Sequence, residues 1–298
     1  MSEARAPLES PGMPGWLQAT PFALVFLLFF ILPLCFVITV SFWDYNDYEM
    51  LPAFITRSYT ESFEGCLTSL PDLCTIFRTY LSTAKFCLIV WALTLVIGFT
   101  VAYYLAFYIR STTMQMVLFL VCTIPFWTSN VIRMISWIPL LGRNGLVNQA
   151  LIGAHVINQP LEWLLYSPFS VALAFVHLFA FFMVAPIFNS MMRIDRRLIE
   201  AAYDAGATGW QMLTNVIIPL SKPGIAIGSI FVVTIVMGDF ITFGVMGGEQ
   251  IASAGKAIET RLNALQFPPA AANAVILLGA TMLIIAVMNR IVDIRKEL

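Results

Sequence analysis

Few side chains in this 298-residue sequence could do chemistry, and one of them is an acid inside a long apolar run. Asp239 interrupts residues 223–248. An ionised carboxylate deep in a bilayer costs about 2.5–3.5 kcal/mol on insertion scales. It must therefore face water, a bundle interior or a partner charge. Thr242, three residues on, shares its helical face. Asp239 could hold a cationic amine, or form a structural pair with Arg133, since both sit toward the outer ends of their runs. Phe126 and Trp127 could take an ammonium by cation–π attraction; packing in an aromatic belt or gate explains them equally well. Ser129 and Asn130 lie between this aromatic pair and Arg133 and complete the polar candidates.

Other chemistries lack their residues. Gly255-Lys256-Ala257 has Gln250 where a phosphate-binding loop needs its first glycine, and no Ser or Thr after the lysine. There is no G-x-S-x-G or H-E-x-x-H motif. His155 and His177 stand alone, and no Cys/His spacing suits a metal. Cys35, Cys87 and Cys122 fall in apolar runs and read as small apolar fillers. Cys66 and Cys74 share an acidic loop, where a disulfide is expected if that loop faces an oxidising compartment. No catalytic centre and no energy source is visible, so any pumping needs a partner to do the work.

The elements that must position these residues follow from composition. The chain is 59% apolar, only 11% charged and has a mean hydropathy of +0.85. Ordinary soluble domains are about 25% charged, so an all-α polytopic membrane protein is the class that remains. Charge-poor runs of about 20 residues predict six transmembrane helices at 21–40, 86–109, 111–132, 163–192, 223–248 and 262–289. The first run is longer than a signal-peptide core and is followed by Trp43-Asp44-Tyr45, a poor cleavage site, so it reads as a retained helix. Placing the N-terminus inside puts nine of the sixteen basic residues in cytoplasmic segments: Arg5, Arg110, Arg193, Arg196, Arg197, Lys222, Arg290, Arg295 and Lys296. Both termini are then cytoplasmic. The first outer loop carries Asp44, Asp47, Glu49, Glu61, Glu64 and Asp72 against Arg57 and Arg78, a charge balance that could concentrate a polycation or dock a protein. The domain reading is a tail (1–19), a first helix (20–43), the acidic loop (44–78), a core (79–292) and a second tail (293–298).

Within that core, residues 193–222 are helical in pattern but too polar for lipid. Leu198, Ile199, Ala202 and Ala205, then Gly209, Met212, Leu213 and Val216, recur at helical spacing. Gly206 suits a turn, and Pro219 is expected to end the second piece, with Pro223 opening the next span. Small residues around Ala201 would let a partner approach closely. An amphipathic helix resting on the lipid interface explains the pattern as well.

Here the sequence resembles a family. Glu200-Ala201-Ala202, three residues, Gly206, nine residues, then Val216-x-Ile218-Pro219 is similar to the EAA motif of ABC-importer permeases, with Val216 for Ile and Ile218 for Leu. The resemblance implies a type I (MetI-like) permease fold whose loop forms a coupling helix seated on an ATPase subunit. By position, Glu200 would pair with basic groups of that ATPase, Ala201 and Ala202 would allow close packing, Gly206 would turn the chain, and Asp204 and Pro219 complete the coupling set. Ile124-Pro125-Phe126-Trp127, then Ile132-Arg133 and Gly145-x-x-Asn148, resembles spermidine/putrescine permeases, as does Gly238-Asp239-Phe240 with Gly247-Gly248. Phe243 stands where many of those carry proline. A polyamine is thus the implied cargo, with an opine, an amino-phosphonate or a ferric complex as rivals. A second permease, an ATPase homodimer and an extracytoplasmic solute-binding protein are the implied partners, in a bacterial inner membrane. ATP and magnesium would be bound by the ATPase, and no cofactor or nucleic acid by this chain. An ion-gradient carrier would want inverted repeats or several intramembrane charges, and a membrane enzyme clustered polar residues; neither pattern is present.

Overall fold

The computed structural model describes residues 15–46, 49–64, 66 and 74–291. Arg5, Asp47, Asp72, Arg295 and Lys296, with most of both tails, lie outside them. In chain order the helices are α1 (Ala19–Val40), α2 (Arg57–Ser62), α3 (Thr75–Tyr108), α4 (Thr112–Thr123), α5 (Asn130–Ile135), α6 (Ile138–Leu141) and α7 (Leu146–Gly153). There follow α8 (Pro168–Met191), α9 (Arg196–Asp204), α10 (Gly209–Gly238), α11 (Ile241–Gly247), α12 (Ala254–Asn263) and α13 (Phe267–Ile291). Among the described residues five helical stretches are long and apolar enough to cross a membrane, and six if one bent pair counts as a single crossing.

That bent pair corrects the expected third span. The run 111–132 is not one helix: α4 tightens into a turn at Ile124–Trp127, Thr128 and Ser129 are extended, and the chain resumes at 89°. Pro125 removes a backbone donor here, which favours a break. The helix that carries the second run starts at Thr75 rather than 86, inside the stretch assigned to the outer loop, and takes Arg78 and Lys85 into its first turns. The fifth span is also different. Pro219 does not end a separate helix: α10 runs on from Gly209, and a π-turn at Leu213–Ile217 just before the proline accommodates it. At its other end α10 stops at Gly238, and α11 is a separate piece. The last span begins at Phe267, while Leu262 belongs to the charged helix α12.

α3, α8 and α10 pack together as the centre. With lipid outside, apolar burial does little to drive helices together, so close backbone approach carries the packing. Gly224 and Gly228, four residues apart on α10, lie directly on α8: a Cβ at Gly224 would sit 2.4 Å from the Pro186 carbonyl oxygen and 2.6 Å from Ser190 Cβ. Met183 is fully buried between Gly228 and Gly98 of α3. Trp91 Nε1 donates to Ser229 Oγ at 2.8 Å, a cross-link between α3 and α10. α1 is the opposite case. Nearly all its side chains are exposed, and its second half leans on α13.

The described part of the segment after α1 is folded. A two-residue hairpin, Asp44–Tyr45 with Met50–Leu51, leads into α2. Arg57 binds Glu61 at 2.7 Å and Asp44 at 3.2 Å, and the Tyr45 hydroxyl donates to Glu61 at 2.6 Å. Two of the loop's acids are therefore already paired. The Tyr45 hydroxyl and Arg57 hold the Glu61 carboxyl below its usual range, so its contribution is present above the ordinary carboxylate pKa and lost as pH falls through the lowered value. Ser62 and Tyr80 both reach Asn273 of α13. Cys66 and Cys74 are disulfide-bonded with Cα atoms 4.8 Å apart. Closing so short a loop is worth about 2–3 kcal/mol in the chain-entropy view. Reduction is therefore expected to speed amide exchange in α2 while α8 stays protected; equal exchange in both redox states would contradict this.

Candidate functional site

Two places gather the candidate residues. The first is the pair of broken helices. α10 ends at Gly238, and Asp239 takes an extended conformation (ψ 130°). Its Oδ1 accepts the Thr242 N–H at 2.7 Å, which caps the first turn of α11. α11 is anchored by Phe243, fully buried and edge-on to Phe86 and Phe175 with ring centroids 5.2 and 5.1 Å away. From below, α12 presses on the break: a Cβ on Gly255 would lie 2.8 Å from the Asp239 carbonyl oxygen. Ala254 N–H, at the same helix start, donates to Thr83 Oγ1 of α3 at 2.9 Å. Lys256 bridges Glu259 at 2.7 Å and Glu249 at 3.3 Å, partners that raise its pKa and keep it charged.

α5, which follows the second break, packs against α11, which follows the first. Arg133, on α5, is 7% exposed; it donates to Asn130 Oδ1, and its Nε has no hydrogen-bond partner among the described residues. Of the two alternatives for Asp239, the Arg133–Asp239 ion pair is not formed: the carboxylate accepts from the α11 N-terminus and the guanidinium donates to Asn130. Phe126 is half exposed and meets Phe181 and Phe182, while Trp127 is 85% exposed. Ser129 and Asn130 are also exposed. Thr242 is fully buried. His177 accepts a hydrogen bond from Trp137 Nε1 at 3.0 Å on its Nδ1, which makes it a packing group.

The second place is the turn at the other end of α3. Asp195 caps α9 by accepting the Arg197 N–H at 2.9 Å. α9 ends in a Schellman motif: Gly206 N–H to Tyr203 O at 2.9 Å and Ala207 N–H to Ala202 O at 3.0 Å, with Gly206 at φ 83°. Thr208 and Gln211 then form a reciprocal capping box that starts α10. Glu200, Ala201 and Asp204 are exposed, and Ala202 and Pro219 half-buried. Arg196, Glu200 and Tyr203 close a cavity of about 290 Å³ with Tyr103 and Phe107 at the end of α3. Leu198, Tyr203 and Trp210 are more than half exposed or nearly so, leaving an apolar face on the turn without cover.

A family model, the binding-protein-dependent transport system inner membrane component, matches residues 94–297. The chain belongs to this family. It is similar to the spermidine/putrescine transport system permease protein PotB of Escherichia coli (strain K12), 29% identical over 289 residues, 95% of this chain and 98% of that protein. The PotB of Haemophilus influenzae is 31% identical over 248 residues, 82% of each. Among solved structures, a bacterial alginate ABC transporter in complex with an alginate pentasaccharide-bound periplasmic protein superposes with a TM-score of 0.69 at 16% identity, covering 92% of each chain. The fold is therefore that of an inner-membrane ABC-transporter permease, and the chain is a multi-pass transport component.

Several positioning residues were not visible as such beforehand. Gly145 and Asn148, noted for their resemblance, are a structural turn: Asn148 is fully buried and binds the Gly142 and Leu161 carbonyls and the Leu161 N–H. Gln115 Nε2 ties the Ala106 and Ile109 carbonyls where α3 ends. A buried amide spaced from backbone carbonyls far along the chain leaves no periodic signal.

Proposed function

We propose that this chain forms half of the translocation pathway of an ATP-driven importer for a small cationic solute, a polyamine of the spermidine/putrescine type. The observation that carries the reading is the 29–31% identity to polyamine permeases over most of both chains, supported by the capped glycine turn at Glu200–Gly206. A second permease supplies the other half, and an extracytoplasmic binding protein delivers the solute. A separate ATPase pair holds ATP and magnesium and seats the α9 turn, with Glu200 and Asp204 toward its basic groups. Both termini lie in the cytoplasm. Closing of the ATPase pair shifts the turn, and with it α8 and α10 as a rigid unit, which reorients the pathway.

Asp239 lies at the break between α10 and α11, where an amine could meet its carboxylate. Asp239→Asn keeps the cap on α11 and removes the charge. Its expected effect is about a tenfold fall in uptake of spermidine at low concentration, the size of one charged hydrogen bond. Unchanged uptake would remove Asp239 from cargo recognition. The unpaired Nε of Arg133 favours a second reading, a cargo that also carries an anionic group, such as an opine or amino-phosphonate. Uptake competition by such solutes, absent with simple polyamines, would select it.

A further inference from the structure

A cleft of about 730 Å³ opens on the side of the bundle between α3, the start of α8 and residues 250–252. Its floor is apolar: Leu81, Ile89 and Leu93 on α3 face Phe169 and Ala172 on α8. Leu81, Leu93 and Phe169 are each over 40% exposed, so no described residue fills it. Two cations, Arg78 and Lys85, stand on the same wall. Seven residues of α-helix place them about 10 Å apart along the axis, with Leu81 and Ser82 between. Neither has an ion-pair partner among the described residues, although the neighbouring segment is rich in acids. This end of α3 is opposite the α9 turn, which packs on Tyr103 and Phe107 at the helix's far end.

We propose that this cleft is a binding site for an anionic phospholipid. Its phosphate pairs with Arg78 and with the upward-reaching ammonium of Lys85, and one acyl chain lies along Leu81, Ile89 and Phe169. Shape and charge agree on that occupant. A groove that is cationic toward the start of α3 and apolar toward Ile89 and Leu93 matches a headgroup above a chain, and neither cation has an ion-pair partner among the described residues to compete with it. A peptide segment of a partner chain would need only the apolar part. Serving no function in solute recognition, the site stands whether or not the cargo is a polyamine.

The test uses the full-length chain purified with its transporter partners, exchanged into micelles containing phosphatidylglycerol or phosphatidylcholine with identical acyl chains. Native mass spectrometry reads the bound lipid. Retention of phosphatidylglycerol over phosphatidylcholine is expected, falling about fivefold in either Arg78→Gln or Lys85→Gln and about thirtyfold in the double variant, from about one unit of surface-charge attraction per cation. Arg110→Gln, outside the cleft, serves as the control and should leave retention unchanged. A photo-reactive residue at Leu81 should label lipid. Equal retention of the two lipids, no loss in the double variant, or labelling of a partner chain at Leu81 would each overturn the assignment.

Discussion

Replacing Gly206 with valine is expected to abolish ATP-driven uptake at unchanged protein level and unchanged cargo capture by the binding protein. Gly206 sits at φ 83°, with no atom within 4 Å of where a Cβ would be. A substitution there meets no clash, and its whole cost is backbone strain of about 1–2 kcal/mol, more for a β-branched side chain. The lowest-energy escape is to leave the left-handed region, which breaks the bonds from Gly206 and Ala207 to the α9 carbonyls. The exposed face of α9 then points elsewhere. The membrane core is untouched, so transport fails without loss of fold. Gly206→Ala, paying only the smaller strain, should retain partial uptake. Glu200→Lys should match the valine variant by a different route, placing a cation where basic groups of the ATPase are proposed to lie. ATP-driven uptake at the normal rate in both variants would contradict the docking role of this turn.

Gly224→Leu is expected to have the largest effect on folding. A Cβ at that position would lie 2.4 Å from a backbone oxygen of α8 and 3.0 Å from Ile187 Cα, atoms that cannot swing away as a side chain would. α8 and α10 must separate, which also strips Met183 of the contacts that bury it. Overpacking of this kind costs about 3 kcal/mol or more, and little apolar driving force in lipid restores the contact. The variant should lose most of its monodisperse, detergent-extracted protein. Gly279→Leu on α13, where the space is open, should retain it. Equal thermal midpoints for the two leucine variants would show that the α8–α10 contact does not limit stability.

Long apolar runs were legible because membrane solvation leaves little choice: a run of that length and composition is helical. Breaks inside the runs were not. The criterion of absent charge cannot see that Pro125 and the pair Thr128–Ser129 interrupt a helix, nor that a π-turn can absorb Pro219 without ending one. It also cut α3 short at residue 86, treating Lys85 as a boundary when a long basic side chain can sit on the helix and reach outward. At the candidate site, Asp239 and Thr242 stood out by type and spacing, and their hydrogen bond is local. The guess of Arg133 as counter-ion failed because each group had a nearer partner, four positions or fewer away. Phe243 reads as an unexplained departure in the sequence; only the three-dimensional meeting with Phe86 and Phe175 explains it. The turn after α9 was the easiest element to see, because capping residues act within a few positions of themselves.

The two helix breaks carry one more implication. Between Thr123 and Asn130, and again at Asp239–Phe240, the intrahelical ladder is interrupted. Hydrocarbon tolerates no bare peptide groups, whereas water or a lined cavity does. Because α5 packs on α11, the helices that restart after the two breaks share one contact. The demand for water or a polar lining there is set by missing backbone bonds and not by the few charged side chains.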